Sequence, residues 1–247
     1  MKIQPIILAA GKGTRMGNPD LPKVLAPLLN RPVIQYQLDT FKATDFLPPA
    51  LVVGFHQDQV RAAVGEGYIF IEQKELLGTG YAVMVCQEQL AHRADHFLII
   101  YGDQPLWTAE TMQRLVEEHA FSDADFSLVT VVSDHPSFQA FGRIIRNAEG
   151  EIVAIREYKD CNPEEAAIQE VNPGLYCVSD AWLWSALAQL QQNNAQAEYY
   201  LTELLEIAVR EKRVIASVKV ESWQETLGIN TPAQLEDVEQ TLMQSRK

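Results

Sequence analysis

The sequence predicts an α/β fold, in which a mostly parallel sheet carries helices on both faces. Three observations support this prediction: short apolar segments without polar alternation, stretches of helical apolar spacing between them, and a glycine-rich turn after the first segment. Strands that are buried on both faces form continuous apolar runs, and the intervening helices are the crossovers that a parallel sheet requires. No linker, repeat or low-complexity segment divides the chain, so we expect a single domain over residues 1–247.

The first half of the chain alternates predicted strands with predicted helices. Strands are predicted at residues 3–10, 50–54, 68–71 and 97–101, and helices at residues 32–42, 56–64, 81–92 and 111–120. The segment FLIIY at residues 97–101 shows the pattern clearly, because it is apolar throughout. These elements form the parallel part of the predicted sheet.

The second half of the chain begins with a strand-rich block. Strands are predicted at residues 126–132, 141–146, 151–156 and 171–178, and we interpret them as a smaller antiparallel layer over one end of the main sheet. Helices return at residues 180–191 and 199–210, followed by a strand at residues 213–220. The last helix begins at Pro232, because Thr231 suits an N-cap and proline suits the first helical position.

Three polar features follow predicted strands directly. They are the loop LAAGKGTRM at residues 8–16, the segment GTG at residues 78–80, and Asp103 after FLIIY. Ligands of open parallel sheets bind outside the carboxyl ends of the strands. We therefore expect all three features on one rim of the sheet.

The loop at residues 8–16 has the composition of a phosphate-binding turn. Gly11 and Gly13 lack a Cβ atom, so their backbone N–H groups can approach a ligand closely. Lys12, Arg15 and Lys23 add positive charge, which suits a polyphosphate. Glycine spacing alone leaves a simpler alternative open, namely an ordinary strand-to-helix turn with solvated cations.

This loop matches neither of two better-known phosphate loops. The sequence lacks the P-loop spacing of two glycines followed by Lys and Ser or Thr. The dinucleotide fingerprint fails at its third glycine, where Met16 stands and Gly17 comes one position late. Neither interpretation is therefore safe from this loop alone.

Several other polar residues are candidates for ligand binding. Asp103 suits magnesium, which is usually held by one or two carboxylates together with substrate phosphates; the alternative is a turn-forming aspartate. Gln73 can donate and accept at once, as the edge of a nucleobase requires. Gly142, Glu157 and Asn172 offer hydrogen bonds to a hydroxylated ligand, although a turn glycine and surface polar residues would look the same in the sequence.

Composition excludes several classes of protein. The net charge of −13 disfavours nucleic acid as a partner, because a phosphate backbone requires broad basic patches. The three cysteines are far apart and odd in number, which argues against a disulfide framework. The N-terminal apolar run leads into GKGTR rather than a cleavage site, and no apolar run is long enough to span a membrane. We expect a soluble, cytoplasmic protein without a membrane partner.

Nine stretches, in order along nearly the whole chain, resemble the sugar-1-phosphate nucleotidyltransferases, and within them the uridylyltransferase domains that act on N-acetylglucosamine 1-phosphate. The stretches are LAAGKGTRM (8–16), LPKVLAPL (21–28), QKELLGTGYA (73–82), YGDQPL (101–106), FGRIIR (141–146), IREYKD (155–160), EVNPG (170–174), NNAQAEYYLTE (193–203) and GIN (228–230). Nine matches in order are far more specific than any one of them.

The resemblance implies a Rossmann-like α/β fold and a magnesium ion (Mg2+) as cofactor. It implies that UTP and a sugar 1-phosphate react to give a UDP-sugar and pyrophosphate, with N-acetylglucosamine 1-phosphate as the first candidate for the sugar 1-phosphate. The implied nucleotide-binding residues are Leu8, Ala9, Ala10, Gly11, Gly13, Gln73, Gly78 and Thr79. The implied sugar-binding residues are Tyr101, Gly102, Gly142, Glu157 and Asn172. Arg15, Lys23 and Asp103 are the implied catalytic residues, and Asp103 and Asn230 the implied magnesium ligands.

The chain departs from the family pattern at four positions. Gln104, Pro173, Ala197 and Glu203 stand where relatives commonly have Val, Thr, Gly and Asp respectively. Pro173 and Ala197 adjoin expected sugar contacts, so they affect the identity of the sugar more than the nucleotide chemistry.

Two alternatives and one further expectation accompany this resemblance. The alternatives are a nucleotidyltransferase of the same fold with another nucleotide or acceptor, and a sugar-nucleotide binding protein without turnover. The sequence contains no hexapeptide repeats of the kind that form an acetyltransferase domain, so we expect no acetyltransferase activity. The resemblance gives no expectation for the oligomeric state.

Overall fold

The computed structural model describes residues 1–18 and 20–245. Its strands, in chain order, are β1 (Ile3–Leu8), β2 (Pro27–Leu28), β3 (Arg31–Pro32), β4 (Ala50–Val53), β5 (Ile69–Glu72), β6 (His96–Tyr101), β7 (Phe126–Val132), β8 (Gly142–Arg146), β9 (Ile152–Arg156), β10 (Glu170–Asn172), β11 (Leu175–Ser179) and β12 (Ile215–Val220). Its α-helices are α1 (Val33–Lys42), α2 (Gln57–Val64), α3 (Thr79–Met84), α4 (Gln87–Leu90), α5 (Ala109–Phe121), α6 (Pro163–Ala166), α7 (Asp180–Leu187), α8 (Glu203–Arg210) and α9 (Pro232–Ser245).

A ten-stranded mixed sheet forms the centre of the molecule. Its strand order is β5-β4-β1-β6-β11-β7-β10-β8-β9, with β12 beside β7, and β2 pairs separately with β3. β1 pairs in parallel with β4 and β6, β4 with β5, and β12 with β7. β9, β10 and β11 run against the other strands of this sheet. The predicted α/β fold with a mostly parallel sheet is therefore confirmed.

Two hydrophobic clusters cover the two faces of the sheet. Successive side chains of a strand point to opposite faces, and β6 shows this directly. Leu98 and Ile100 pack in the cluster that contains residues of α1, α5 and α9, whereas Phe97 and Ile99 pack in the cluster that contains residues of α3, α7 and α8. Helices thus lie on both faces, as the apolar strands predict.

The strand-rich block is antiparallel, as predicted, and is hydrogen-bonded to the main sheet. β10 pairs with β8, and β8 pairs with β9. β10 also pairs with the end of β7, so these three strands continue the main sheet at one end. They supply a second wall beside the carboxyl ends of β1 and β6.

The predicted strand at residues 171–178 is wrong in one respect, because it is two strands. Pro173 has no N–H group to donate, and Gly174 has φ +92°, which leaves the β region. β10 therefore ends at Asn172, and β11 begins at Leu175 and pairs with β6. The break leaves Asn172 at the rim of the sheet.

Two predicted helices also differ from the structure. The helix predicted at residues 81–92 is divided into α3 and α4, because a tighter turn, with Cys86 N donating to Val83 O at 3.0 Å, lies between them. The helix predicted at residues 199–210 begins only at Glu203. Tyr199 cannot take part in it, since its backbone N donates to Leu77 O and its carbonyl accepts from Gly80 N, both at 2.8 Å.

The remaining differences are shifts of element ends. β1 ends at Leu8 rather than at residue 10, β12 begins at Ile215 rather than at residue 213, and α7 ends at Leu187 rather than at residue 191. The predicted cap of the last helix is confirmed, because Thr231 Oγ1 accepts from Gln234 N at 3.3 Å. α6 is a short helix that the sequence reasoning missed.

Two further features concern the cysteines and the helices. Cys86, Cys161 and Cys177 are all free thiols. Among the helices in the described part of the chain, none has the length and apolarity needed to cross a membrane.

Candidate active site

A cleft of about 510 Å³ opens at the rim that the sequence predicts. Fifteen of the seventeen predicted site residues line it: Leu8, Ala9, Ala10, Gly11, Arg15, Lys23, Gln73, Gly78, Thr79, Tyr101, Asp103, Gly142, Glu157, Asn172 and Asn230. The topology explains why they meet. β1, β5 and β6 are parallel and end at this rim, and the break between β10 and β11 lies beside it, where Asn172 and Pro173 line the cleft. The roles of these residues stay predictions.

Gly13 and Gly102 are the two predicted residues that do not line the cleft. A Cβ atom on Gly13 would lie 2.5 Å from Cβ of Lys23, and one on Gly102 would lie 3.0 Å from the carbonyl oxygen of Leu8. Both glycines therefore allow chain segments beneath the cleft to approach each other. They support the site from below, so the structure places neither in the ligand-contacting position that the resemblance implies.

Four side chains converge at the centre of the cleft, and we call them the Lys23 cluster: Arg15, Lys23, Asp103 and Asn230. The Lys23 ammonium forms an ion pair with Asp103 Oδ2 and donates to Asn230 Oδ1 at 2.8 Å. Arg15 Nη2 donates to the same Asn230 oxygen at 3.0 Å. Residues distant in sequence thus bring two cations and two oxygen ligands together.

The donor set of the Lys23 cluster fits a magnesium ion. Asp103 and Asn230 each direct an oxygen at one cationic group, the Lys23 ammonium, and Ile229 N donates to the Asp103 carbonyl at 2.9 Å, which joins the two segments. Magnesium prefers oxygen ligands and is usually held by one or two carboxylates plus substrate phosphates. Asp103 and Asn230 are therefore the residues that would hold it.

The loop at residues 73–80 forms one wall of the cleft. Gln73 is 4% exposed, and its Nε2 donates to Gly78 O at 3.3 Å, which fixes the amide beside the loop. Gly78 has φ +108°, and a Cβ atom there would lie 2.6 Å from Tyr199 O. The loop is thus held against residues 199–201 by backbone bonds and by Leu201 N donating to Thr79 Oγ1 at 3.1 Å.

A half-buried carboxylate, that of Glu157, also lines the cleft. Glu157 Oε1 accepts from Thr202 Oγ1 at 3.0 Å and lies 3.6 Å from the point where a Cβ atom on Gly142 would be. Burial raises the pKa of Glu157, and the Thr202 hydrogen bond opposes this only in part. A carboxylate in such surroundings accepts hydrogen bonds strongly and gains most from hydroxyl donors of a ligand.

Asn172 is fixed at both ends of its side-chain amide. Its Nδ2 donates to the Tyr176 hydroxyl at 2.6 Å, and its Oδ1 accepts from Gly174 N at 3.1 Å. The Tyr176 hydroxyl is hydrogen-bonded in turn to that of Tyr101, which also bonds to Thr79. Burial raises the pKa of Tyr101, so it is a neutral hydrogen-bonding group across the physiological range.

Sequence reasoning missed several residues that line the cleft: Val24, Leu76, Ala82, Gln104, Ala140, Phe141, Pro173, Gln196, Glu198, Tyr200 and Gly228. Most lie within the stretches that carry the resemblance, so proximity to a matched motif was the available signal. Ala140 lies just outside them, and Leu76 lies within one but, as an apolar loop residue that is 41% exposed, cannot be distinguished in the sequence from other surface residues.

The four departures from the family pattern lie at different distances from the cleft, and only Gln104 and Pro173 line it. Gln104 Nε2 donates to Pro173 O at 2.6 Å, so two of the departing residues contact each other. Ala197 has φ +52°, a conformation that glycine adopts more readily. Glu203 lies at the start of α8 and accepts from Asn194 Nδ2 at 3.2 Å, outside the cleft.

Comparison with known proteins shows which family this chain belongs to. The bifunctional protein GlmU of Geobacillus sp. (strain WCH70) is 38% identical over 242 residues, which are 98% of this chain and 52% of that protein. GlmU of Enterococcus faecalis (strain ATCC 700802 / V583) is 39% identical over 225 residues, 91% of this chain and 48% of that protein. The chain thus spans about half the length of these relatives.

A solved structure of UDP-glucose pyrophosphorylase complexed with UDP-glucose shares the fold, with a TM-score of 0.79, 16% identity and full coverage of both chains. The fold and these relatives place the chain in a nucleotidyltransferase family. Residues 5–211 match the MobA-like NTP transferase domain, and the chain belongs to this family. The resemblance drawn from the nine sequence stretches is confirmed.

Proposed function

We propose that this protein is a magnesium-dependent nucleotidyltransferase that converts UTP and a sugar 1-phosphate into a UDP-sugar and pyrophosphate. The first candidate for the sugar 1-phosphate is N-acetylglucosamine 1-phosphate. The observation that carries the proposal is the Lys23 cluster, which shares one cleft with Gln73, Glu157 and Asn172. The relatives named GlmU support the choice of nucleotide sugar.

The reaction needs positioning and charge neutralisation more than covalent chemistry. A phosphate oxygen of the sugar 1-phosphate attacks the α-phosphorus of UTP, and the bond to pyrophosphate breaks on the opposite side. Lys23 and Arg15 are cations at the centre of the cleft and would bind the negatively charged phosphates. Magnesium, held by Asp103 and Asn230, would supply further charge neutralisation when bound.

The two walls of the cleft would hold the ends of the reactants. Gln73 has one amide hydrogen on Gly78 and keeps its oxygen available for the edge of uracil. Glu157 would accept from sugar hydroxyls, and Asn172 has both ends of its amide fixed, so that its free hydrogen-bonding positions face the ligand. UTP would therefore be oriented by its base and the sugar 1-phosphate by its sugar, while the phosphates of both would meet at the Lys23 cluster.

The test is pyrophosphate release by the purified protein with magnesium, each of the four nucleoside triphosphates and a panel of sugar 1-phosphates. We expect the highest kcat/KM with UTP and N-acetylglucosamine 1-phosphate. Activity with CTP or GTP but not UTP would overturn the choice of nucleotide. Binding of UDP-sugars without pyrophosphate release from any pair would instead indicate a binding protein without turnover.

A further inference from the structure

Gln104 is a buried glutamine whose amide joins three segments of the cleft. It is 2% exposed and follows Asp103 directly. Its Nε2 donates to Pro173 O at 2.6 Å and to Thr226 O at 3.2 Å, and its Oε1 accepts from Trp107 Nε1 at 3.2 Å. One side chain therefore contacts the segment after Asn172 and the segment before Asn230.

The identity of the partners fixes the orientation of this amide. Carbonyl oxygens only accept, so both must face the amide nitrogen, whereas the indole N–H only donates and must face the amide oxygen. Both N–H groups of Gln104 are then in use, and neither remains for a ligand. Gln104 consequently acts through the segments that it holds, even though it also lines the cleft.

Each of the three segments adjoins a residue that the proposed reaction needs. Asp103 precedes Gln104, Asn172 precedes Pro173, and Asn230 follows Thr226 by four residues. A second contact on the same side strengthens the link, because a Cβ atom on Gly228 would lie 3.5 Å from Cγ of Gln104. The backbone of Gln104 is also held, since Gln37 Nε2 donates to its carbonyl at 2.8 Å.

We propose that Gln104 is a positioning residue that sets the distance between the Asp103–Asn230 pair and the sugar-binding Asn172. This inference rests on the proposed function, because it assigns the sugar 1-phosphate to the gap between these residues. If the amide is lost, Pro173 and its neighbour Asn172 lose their tie to the Asp103 loop. The sugar 1-phosphate then binds less well, whereas the loops at residues 8–11 and 73–79 still bind UTP.

The test compares Gln104→Met with a matched control, Gln4→Met. Gln4 is 1% exposed, and its Nε2 also donates to two carbonyl oxygens, those of Pro5 at 3.0 Å and Pro48 at 2.9 Å. It lies on β1 near the end of the sheet away from the cleft. Both variants lose buried hydrogen bonds of the same kind, so a general loss of stability affects both.

We expect Gln104→Met to raise KM for the sugar 1-phosphate about tenfold and KM for UTP less than about twofold, because buried carbonyls that lose their donor shift the segment carrying Asn172. Gln4→Met should leave both KM values near those of the parent protein. Equal KM changes for the two substrates, or the same changes in Gln4→Met, would overturn the inference.

A second readout does not depend on turnover. Amide hydrogen exchange should accelerate at Gly174 and Ile229 in Gln104→Met, since these N–H groups bond to Asn172 Oδ1 and Asp103 O within the tied segments. Unchanged exchange at both would overturn the inference, even if the parent protein proves inactive. Inactivity of the parent with every pair of substrates contradicts the proposed function instead, so the two failures are distinguishable.

If Gln104→Met does not fold, Trp107→Phe takes its place. This variant removes only the N–H group that fixes Gln104 Oε1. It should produce the same difference between the two KM values at smaller size, and equal KM changes would again overturn the inference.

Discussion

Two groups of residues that line the cleft come from different parts of the sheet. The proposed nucleotide side, residues 8–11 and 73–79, consists of loops that follow the parallel strands β1 and β5. The proposed sugar side, Gly142, Glu157 and Asn172, lies on or directly after the antiparallel strands β8, β9 and β10, and burial raises the pKa of its carboxyl group. The cations Arg15 and Lys23 line the same cleft.

This difference follows from what each side would bind. A triphosphate is highly charged, so neighbouring cations and open backbone N–H groups suit it. A sugar is neutral and rich in hydroxyl groups, so a buried acceptor and a fixed amide discriminate among its hydroxyl positions. The comparison therefore predicts that substitutions on the two sides affect the two substrates separately, whereas those at the centre affect both.

The largest effect is expected at the centre. Lys23→Met removes the ammonium that lies between Asp103 and Asn230, so kcat/KM should fall by about a hundredfold or more, as when one preorganised donor is lost. Steady-state pyrophosphate release measures this.

The control for Lys23→Met is Lys42→Met, which removes a lysine from an exposed ion pair with Asp39 at 3.0 Å. Exposed pairs contribute little to stability, so this variant should keep the activity of the parent. A Lys23→Met protein with more than about a tenth of parental kcat/KM would contradict a role in charge neutralisation.

The next effect concerns two glycines of the proposed nucleotide side. Gly78→Ala would place Cβ 2.6 Å from Tyr199 O at a left-handed backbone position, and should lower the free energy of unfolding by about 2 kcal/mol. At Gly11 a Cβ atom would meet none of the described atoms within 4 Å, so Gly11→Ala should cost less than about 0.5 kcal/mol, while raising KM for UTP because Gly11 lines the cleft. Urea denaturation of both variants measures the difference, and equal stabilities would contradict the close packing at Gly78.

The third effect is expected for a substitution on the proposed sugar side, which should change KM for one substrate only. Glu157→Gln keeps an acceptor but loses the charge, so KM for the sugar 1-phosphate should rise about tenfold with little change in KM for UTP. Because burial raises the pKa of Glu157, sugar affinity of the parent should weaken as the pH falls toward that raised pKa, and this dependence should vanish in Glu157→Gln. A parallel rise in both KM values would place Glu157 outside the sugar side.

Local sequence patterns predict the nucleotide side better than the sugar side. The loop at residues 8–16 follows a continuous apolar strand, so the rule for parallel sheets locates Gly11 and Asp103 at one rim without further information. On the sugar side, Glu157 and Asn172 have no such strand signal, and only the resemblance to a family indicates them. Their position depends on long-range pairing between β8, β9 and β10.

Contacts between distant segments explain what the sequence does not reveal. The helical pattern from residue 199 is real, but the backbone of Tyr199 is bonded to residues 77 and 80 instead of to its own helix. The network at Gln104 likewise joins residues separated by 69 and 122 positions. Neither periodicity nor composition contains information on such pairs, because each depends on the completed sheet.

The smallest effect concerns strain on the sugar side. Ala197 has φ +52°, which costs an L-residue roughly 1 kcal/mol, and glycine recovers this at the expense of greater freedom in the unfolded chain. Ala197→Gly should therefore raise the free energy of unfolding by about 0.5 kcal/mol at most, measured by urea denaturation. Ala188→Gly, at a right-handed position with φ −64°, should instead lower it. If both variants lose stability equally, the segment around Ala197 is unstrained.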